Sequence, residues 1–279
     1  MKDWAALKRK LLPYAYNILG SIDDSQDVLQ NILIKVQGKK DINNEQAYLI
    51  RAVINESINF KKRRDKSIQQ NVWLPEPFVT NDGEQNIETK EILHYSILVL
   101  MESLKINERA VFMLKEAYNY SHQEISEVLS ISTDNSRQLL TRAKKKLKAR
   151  KSDIIKPTTD NQSHLERYIT TIRSGDVKSL ENMLAEEVQL LADGGTSLNV
   201  VAELTSGISA TIDVIMHVYN LYQKDFKIIT GELNHQPALF FYNKTELINC
   251  QVFEIDSHDK IKSIFSIIDP LKLAGLSKA

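Results

Sequence analysis

Seven residues between positions 135 and 145 have side chains of the kinds that bind nucleic acid. Arg, Gln and Asn can each form two hydrogen bonds with one base edge, while Ser, Thr and Lys reach bases or phosphate oxygens. These candidates are Asn135, Ser136, Arg137, Gln138, Thr141, Arg142 and Lys145. A dense run of Lys and Arg follows them as far as Lys151. This pattern indicates binding in a DNA groove, with an added, salt-dependent attraction between the cations and phosphate.

Three short helices must position these side chains. The first has an apolar stripe from Ala110 to Tyr118, and the second has one from Ile125 to Leu129, with Ser121 as its expected N-cap. The third carries on its inner face Leu139, Leu140, Ala143 and Leu147. Two helices joined by a tight turn, the second one basic, are typical of a helix-turn-helix, whose second helix enters the major groove. A solvated Lys-rich helix is the alternative, and the turn, the apolar frame and the basic tail together favour DNA binding.

Charge is unevenly distributed in this chain of 279 residues, whose net charge is zero. Residues 105–151 contain eleven Lys or Arg against five Asp or Glu, whereas residues 157–279 contain ten against sixteen. A basic middle part and an acidic C-terminal part predict separate functions. The single cysteine, Cys250, excludes an intramolecular disulfide and fits a reducing compartment. No apolar run approaches the ~20 residues that cross a bilayer, so we expect a cytoplasmic protein that does not bind membranes.

Hydrophobic periodicity divides the N-terminal half into parts. Residues 1–66 are predicted to form a helical domain of three helices, the first of which starts or kinks at Pro13 and stops at Gly20. The apolar positions at helical spacing are Leu7, Leu11, Ala15, Ile18 and Leu19 in the first helix, Val28, Leu29, Ile32 and Val36 in the second, and Ala47, Ile50, Val53, Ile54 and Ile58 in the third. Residues 67–90 are predicted to be a linker, extended because WLPEP holds two prolines. Residues 91–151 form the helix-turn-helix domain, and residues 152–163 a second linker.

The last part, residues 164–279, is predicted to be α+β, with helices first and an antiparallel sheet after them. Helical spacing links Leu165 to Ile172, Leu180 to Val188, and residues 208–222. Val188–Leu191 is predicted to turn to strand. Four strand-like runs follow, KIITGEL, PALFFYN, ELINCQVFEID and IKSIFSIID. The sequence Asp193-Gly194-Gly195 indicates a turn before them.

Several stretches resemble the extracytoplasmic-function sigma factors of bacteria. They are AYNILGSIDDSQDVLQNI, AYLIRAVINESINFKKRR, WLPEPFV and the helix-turn-helix sequence from Glu108 to Leu147. WLPEP is similar to the linker of a subgroup that carries a fused C-terminal SnoaL-like domain, and ADGG, NHQPAL and IIDPLKL are similar to marks of that domain. The resemblance implies an all-α region two at 1–66, an all-α region four at 91–151, and a SnoaL-like (nuclear-transport-factor-two-like) cone at 164–279.

The same resemblance implies a role for particular residues. Region two would bind the promoter −10 element through Lys39, Lys40, Asn43, Lys61, Lys62, Arg63 and Arg64, and region four would bind the −35 element. Asp27 and Gln30 correspond to positions that face the β′ subunit of RNA polymerase core, and the β subunit is an expected partner as well. The cone would regulate in cis through contacts between two sets of residues. One set is Trp73, Leu74, Pro75, Glu76 and Pro77, and the other is Asp193, Gly194, Gly195, Asp269, Pro270, Leu271, Lys272 and Leu273.

Two other functions remain open. One is a small-molecule isomerase or hydrolase of SnoaL type tethered to DNA, with Asp193 as a general base beside a pocket. The other is a helix-turn-helix regulator that senses a ligand. The sequence contains no paired-carboxylate motif, nucleophile elbow, phosphate-binding loop or metal-ligand spacing, so we expect no enzyme activity, cofactor or metal. A small-molecule ligand of the cone stays open as a partner.

Overall fold

The computed structural model describes residues 4–36, 44–64, 73–80, 91–148, 161–195 and 204–276. The chain divides into two compact units. Unit 1 comprises Met1–Gln69, Gly83–Leu93 and Ile97–Ser152, and unit 2 comprises Gln70–Asp82, His94–Ser96 and Asp153–Ala279. Within the described ranges, no helix is long and apolar enough to cross a bilayer.

Unit 1 is built from helices. In chain order they are α1 (Trp4–Leu19), α2 (Ile22–Val36), α3 (Glu45–Arg64), α4 (Tyr95–Met101, which starts in residues assigned to unit 2), α5 (Ile106–Glu116), α6 (His122–Leu129) and α7 (Thr133–Lys148). The helix α1 continues through Pro13 rather than starting there. It stops at Gly20, whose φ of 69° is the left-handed conformation that glycine adopts without strain.

The predicted apolar stripes of the first three helices are buried. Those stripe residues are Leu11, Ala15, Ile18, Leu19, Val28, Leu29, Ile32, Val36, Ile50, Val53, Ile54 and Ile58. Two stripe positions were wrong: Leu7 is only half-buried, and Ala47 is exposed in the first turn of α3. The fully buried Leu49 begins the inward stripe of α3 instead.

A charged cluster lies inside unit 1. Arg109 is fully buried, forms an ion pair with Glu102, and donates from Nε to the Asn17 carbonyl at 3.1 Å. Lys61 is 4% exposed and donates from Nζ to Glu102 Oε2 at 2.9 Å. Burial and the nearby Arg109 lower the pKa of Lys61 to about 8. The Glu102 carboxylate therefore joins α3 to α5, and Arg109 joins α5 to α1.

Unit 2 contains helices packed on one face of a six-stranded sheet. The elements are α8 (Asn161–Ser174), α9 (Val177–Met183), β1 (Leu184–Asp193), β2 (Thr205–Ser206), α10 (Ile208–Val218) with a π-helical turn at Tyr219–Gln223, β3 (Lys227–Leu233), β4 (Gln236–Asn243), β5 (Glu246–Ile255), β6 (Ile261–Ile267) and α11 (Pro270–Ala274). Residues of α8, α9 and α10 share a core with alternate residues of the strands, including Phe241 and Phe253. We call this helix-covered side of the sheet the inner face and the opposite side the outer face.

The sheet order is β2-β1-β6-β5-β4-β3. The predicted antiparallel sheet is correct for every described pair except β1 with β6, which is parallel. The helix predicted through Val188 ends at Met183, and β1 starts at Leu184. The spacing of Leu184 and Val188 fits a helix, but pairing of β1 with β6, 77 positions further on at Leu184 and Ile261, imposes a strand.

We expect Glu102→Ala to destabilise unit 1 by about 2–3 kcal/mol, because it leaves Lys61 and Arg109 buried without their shared carboxylate. This value lies below the ~3–5 kcal/mol expected for a fully buried pair, since the Glu102 side chain is 23% exposed. Lys61→Met should leave the stability of unit 1 unchanged or raise it, because Glu102 still forms its ion pair with Arg109. Urea unfolding followed by fluorescence in a Trp73→Phe background reports on unit 1, where Trp4 is then the only tryptophan. Equal losses in both variants would contradict this account of the cluster.

Candidate nucleic-acid interface and linker-binding face

The helix α6 has both ends fixed by local hydrogen bonds. The Ser121 hydroxyl accepts from the Glu124 N–H at 3.2 Å, and the Glu124 carboxylate accepts from the Ser121 N–H at 2.7 Å. This reciprocal capping box satisfies two N–H groups at the helix start and confirms Ser121 as the N-cap. At the other end, Ser130 has φ 54° and closes the helix in the left-handed conformation. These ends set the tight turn that leads into α7.

The inner face of α7 packs onto the preceding helices as predicted. Leu139, Leu140, Ala143 and Leu147 are at most 9% exposed. The Ser132 hydroxyl accepts from the Asn135 N–H at 3.1 Å and caps the helix start. The opposite face of α7 is consequently held outward in one orientation.

Six of the seven predicted −35 residues lie exposed on α7. They are Asn135, Arg137, Gln138, Thr141, Arg142 and Lys145. Arg137 pairs with Asp134 at 2.8 Å, but both side chains are more than half exposed, so the pair is weak. The guanidinium of Arg137 can therefore exchange this partner for a base edge at little cost.

The prediction that Ser136 lies on the outward face of α7 is wrong. Its side chain is fully buried, and its hydroxyl lies 2.9 Å from His122 Nδ1. Loss of solvent and the charges of Lys115, Arg137 and Lys144 lower the pKa of His122, which favours the neutral ring. Ser136 thus joins α7 to α6 and does not reach the outer surface.

Some cations of the basic tail hold α7 on α5. Lys146 lies 2.6 Å from the buried carboxylate of Glu108, and Lys144 lies 2.7 Å from Glu116. Burial acts to raise the pKa of Glu108, but hydrogen bonds from Lys146 and the Lys105 N–H outweigh it and lower the pKa. Lys145, between these two, is exposed. Arg150 and Lys151 lie outside the described residues.

The predicted −10 residues divide into three groups. Lys62 and Arg63 are exposed at the end of α3. The prediction for Lys61 was wrong, because Lys61 is buried in the cluster with Glu102. Arg64 is half-buried and donates to Asp24 Oδ2 at 2.7 Å and to the Leu19 carbonyl at 3.1 Å. Lys39, Lys40 and Asn43 lie outside the described residues. The polymerase candidates Asp27 and Gln30 are both exposed on α2.

Within unit 2, residues 73–80, which we call the Pro-rich segment, lie on the outer face of the sheet. The Leu74 N–H donates to Asp193 Oδ2 at 2.7 Å, and the Leu74 carbonyl accepts from Lys272 Nζ at 2.5 Å. Lys272 also pairs with Asp193 at 2.5 Å and lies 4.6 Å from the centre of the Trp73 ring. Both charged side chains are at least 90% buried. One buried ion pair thereby binds both backbone groups of Leu74.

The other end of the Pro-rich segment pairs with the sheet edge. The Phe78 N–H donates to Asn234 Oδ1 at 2.7 Å, and the Asn234 N–H donates to the Phe78 carbonyl at 2.8 Å. Val79 forms an antiparallel bridge with Leu233. Between the two ends, the Tyr95 hydroxyl donates to the Pro75 carbonyl at 2.6 Å. The predicted extended conformation is confirmed for these residues, and the prolines leave the paired N–H groups of Leu74 and Phe78 in place.

The predicted regulatory residues of the cone meet around Asp193. The Gly195 N–H donates to Asp193 Oδ1 at 2.8 Å, and the N–H groups of Ile268 and Asp269 donate to the Asp193 carbonyl. Gly195 has φ 65°, and a Cβ there would lie 2.5 Å from Asp269 Cγ, so only glycine fits. Gly194 is buried, whereas Pro270 and Leu271 are exposed and point away.

The Asp269 carboxylate accepts from the Leu271 N–H at 3.0 Å, as the N-cap of α11. That cap starts the short helix which carries Lys272 to Asp193, with Leu273 buried beside it. Of the predicted linker residues, Leu74, Pro75, Glu76 and Pro77 are buried and Trp73 is half-buried.

Comparisons with known proteins agree with this arrangement. A family model described as "Sigma-70, region 4" matches residues 94–147, which include α5, α6 and all but the last residue of α7. The ECF RNA polymerase sigma factor SigJ of Mycobacterium tuberculosis is 22% identical over 89% of this chain and 78% of SigJ. The chain is an extracytoplasmic-function sigma factor. SigG of the same organism is 20% identical over 94% of this chain and 79% of SigG.

The sigma factor also shares its whole fold with a solved relative. The crystal structure of Mycobacterium tuberculosis SigJ matches with a TM-score of 0.78, at 18% identity, over 97% of this chain and 96% of that one. The match extends through unit 2, so the sigma factor carries the fused SnoaL-like cone that its sequence resembles.

Sequence reasoning missed several residues that join elements of the sigma factor. In unit 1, Arg51 donates to the Ser130 hydroxyl and Asn55 donates to the Val128 carbonyl, each at 2.8 Å. In unit 2, Asn234 holds Phe78, and Gln236 accepts from the Ser96 N–H at 2.7 Å. The NHQPAL motif drew attention to Asn234 and Gln236 as marks of the cone, but it did not indicate their hydrogen-bond partners. Arg51 and Asn55 gave no signal, because their partners are more than 70 positions away.

We expect Arg137→Ala to reduce discrimination at the −35 element, since losing one bidentate base contact costs about 1–3 kcal/mol. Lys145→Ala serves as the comparison. It should weaken every promoter alike and reduce the slope of log affinity against log salt by about one unit. Runoff transcription with core polymerase on a panel of −35 variants measures both effects. A uniform loss across the panel for Arg137→Ala would show that this residue contacts phosphate instead of a base.

Proposed function

We propose that the C-terminal cone regulates this sigma factor in cis by holding the Pro-rich segment. The main support for this proposal is the buried ion pair of Asp193 and Lys272, which binds the N–H and the carbonyl of Leu74. The segment lies in the chain between α3 of region two and the helices of region four. Whatever binds the segment therefore acts on the connection between the two promoter-binding regions.

The partners of this activity are RNA polymerase core and promoter DNA. Asp27 and Gln30, exposed on α2, are the proposed contacts to the β′ subunit, and region four supplies the proposed contact to the β subunit. Lys62 and Arg63 are the described cations best exposed for DNA near the −10 element. The compartment is the cytoplasm, where polymerase and promoter DNA meet.

We infer further that unit 1 is a closed state, which must open for promoter binding. By their names the −10 and −35 elements lie about 25 base pairs apart, or about 85 Å along straight DNA. A compact unit of this size has an expected radius of gyration of about 14 Å. With α3 bonded to the helix-turn-helix through Arg51 and Asn55, its two DNA-binding surfaces cannot reach both elements at once.

Release of the Pro-rich segment supplies length for that opening. While the cone holds it, eight residues of the connection are fixed against the outer face. Once released, these eight residues can span up to roughly 27 Å in a direction that the cone no longer fixes. The cone therefore restrains separation of regions two and four, and its release favours the open state.

The enzyme alternative gains no support from Asp193. Its carboxylate is directed to the outer face and is occupied by Lys272, the Leu74 N–H and the Gly195 N–H. A general base needs a free lone pair within hydrogen-bond reach of substrate. The residue proposed for catalysis thus has a binding role in this arrangement.

We expect Lys272→Met to release the Pro-rich segment, because it leaves the buried Asp193 carboxylate without its counter-ion. In a Trp4→Phe background, Trp73 is the only tryptophan, and its emission should shift to the red as the ring enters water. Runoff transcription should rise severalfold with the same variant.

Lys262→Met is the matched control for this experiment. It removes a different lysine–carboxylate pair of the same domain, that of Lys262 with Glu254, and should change neither readout. A red shift without a change in transcription would separate segment binding from regulation and refute the proposal.

We expect Arg51→Ala combined with Asn55→Ala to favour the open state. Two partly exposed hydrogen bonds are worth together about 1 kcal/mol, which corresponds to roughly a fivefold gain in affinity for core polymerase. Gln123→Ala is the control, since the Gln123 side chain donates to Glu127 within the same helix, α6. Fluorescence titration with labelled core measures the affinities, and an unchanged affinity of the double variant would exclude the closed-state inference.

A further inference from the structure

A cavity of about 550 Å³ lies in unit 2 between the inner face of the sheet and the helices α8 and α10. Apolar side chains form most of its wall, among them Ile172, Leu190, Ile215, Phe226 and Phe241. This volume falls in the range of small-molecule sites, which are mostly apolar with a few placed polar groups. The cavity is separate from the outer face that holds the Pro-rich segment.

Two buried amides face this cavity from β5. Asn249 and Gln251 are two positions apart on the strand, so both project to the inner face, and they are 2% and 8% exposed. The Asn249 Oδ1 accepts from the Ser266 hydroxyl at 3.1 Å. Asn249 Nδ2 and Gln251 Oε1 have no hydrogen-bond partner among the described residues. Native proteins rarely leave buried polar atoms unpaired, so these two indicate a ligand that supplies the partners.

The described residues that line the cavity include no Asp, Glu, Lys or Arg, and the one histidine among them, His217, lies at the exposed rim. Burial raises the pKa of Tyr168, so its hydroxyl stays neutral. A charged ligand group beside the two buried amides would lose its hydration without gaining a counter-ion there, which favours a neutral ligand.

An opening to solvent lies where α10 passes into its π-helical turn. His217 and Tyr222 line the cavity and are exposed, Tyr222 by 66%. Such π-helical turns are uncommon and often occur at functional sites. A ligand can therefore pass between the rim and the amides without unfolding of the sheet.

We propose that this cavity binds a neutral, mainly apolar small molecule of the hydroxy-ketone class, with a carbonyl accepting from Asn249 Nδ2 and a hydroxyl donating to Gln251 Oε1. The carbonyl matches the unused donor, and the hydroxyl matches the unused acceptor. The apolar body of the molecule fills the space between Ile172, Leu190 and Phe241. This inference does not rest on cis regulation, because it concerns only the inner face.

Two fluorescent probes with the same aromatic ketone body test the proposal with the full chain. They are 6-propionyl-2-naphthol and its methyl ether, used at pH 6.5; the ether has a methyl group in place of the hydroxyl hydrogen and therefore lacks the donor. We expect saturable binding of both with blue-shifted emission, and about tenfold tighter binding of the naphthol, as for one hydrogen bond to a buried acceptor. Gln251→Leu should abolish that preference, and Asn249→Leu should weaken both probes about tenfold or more.

Two further variants keep the test decisive. Asn243→Leu changes an exposed asparagine of the same domain and should leave both affinities unchanged. Ala192→Phe fills the cavity from β1 without replacing either amide and should abolish binding even if Asn249→Leu fails to fold. The proposal is overturned if the unmodified chain binds neither probe, or if binding survives Ala192→Phe. Transcription is not part of this readout, so failure here leaves cis regulation standing.

Discussion

A carboxylate buried in the sheet must be surrounded by donors, and the Asp193 carboxylate meets this requirement with groups from three distant parts of the chain. The Leu74 N–H, the Gly195 N–H and Lys272 all bind it. Gly195 has to be glycine because a side chain would collide with Asp269, which in turn starts the helix that carries Lys272. The motifs WLPEP, ADGG and IIDPLKL lie far apart in the sequence, but together they form one binding site around Asp193.

The burial of Ser136 illustrates a signal that was present but misinterpreted. The apolar stripe of α7 runs through positions 139, 140, 143 and 147, and helical periodicity extends it back to 136. Residue type suggested a DNA contact, whereas spacing already assigned the position to the inner face. For Lys61 no such signal existed, because its partner Glu102 lies 41 positions further on and its charge argued for the surface.

Local order in the sigma factor was predictable, and its long-range pairing was not. Capping by Ser121, the stop at Gly20 and strands β3 to β6 follow from neighbouring residues and were located from them. The parallel pairing of β1 with β6 depends on residues far apart, and it overrode a helical pattern at Leu184. The binding site of the Pro-rich segment also depends on long-range pairing. The resemblance to a family suggested its residues, but the ion pair of Lys272 and Asp193 that forms it is seen only in the folded structure.

The inner and outer faces of the cone use alternate residues of the same strands. On β1, Ala192 lines the cavity and the adjacent Asp193 holds the Pro-rich segment; on β6, Ser266 bonds the cavity amide Asn249 while Ile267 is buried on the outer face. A ligand can shift the segment only if it binds the held and released states with different affinity, and the effect is then reciprocal. Because adjacent residues of a strand move together, displacement of Ala192 displaces Asp193. The backbone of β1 is therefore the shortest connection through which a ligand in the cavity can change the hydrogen bond between Asp193 and Leu74.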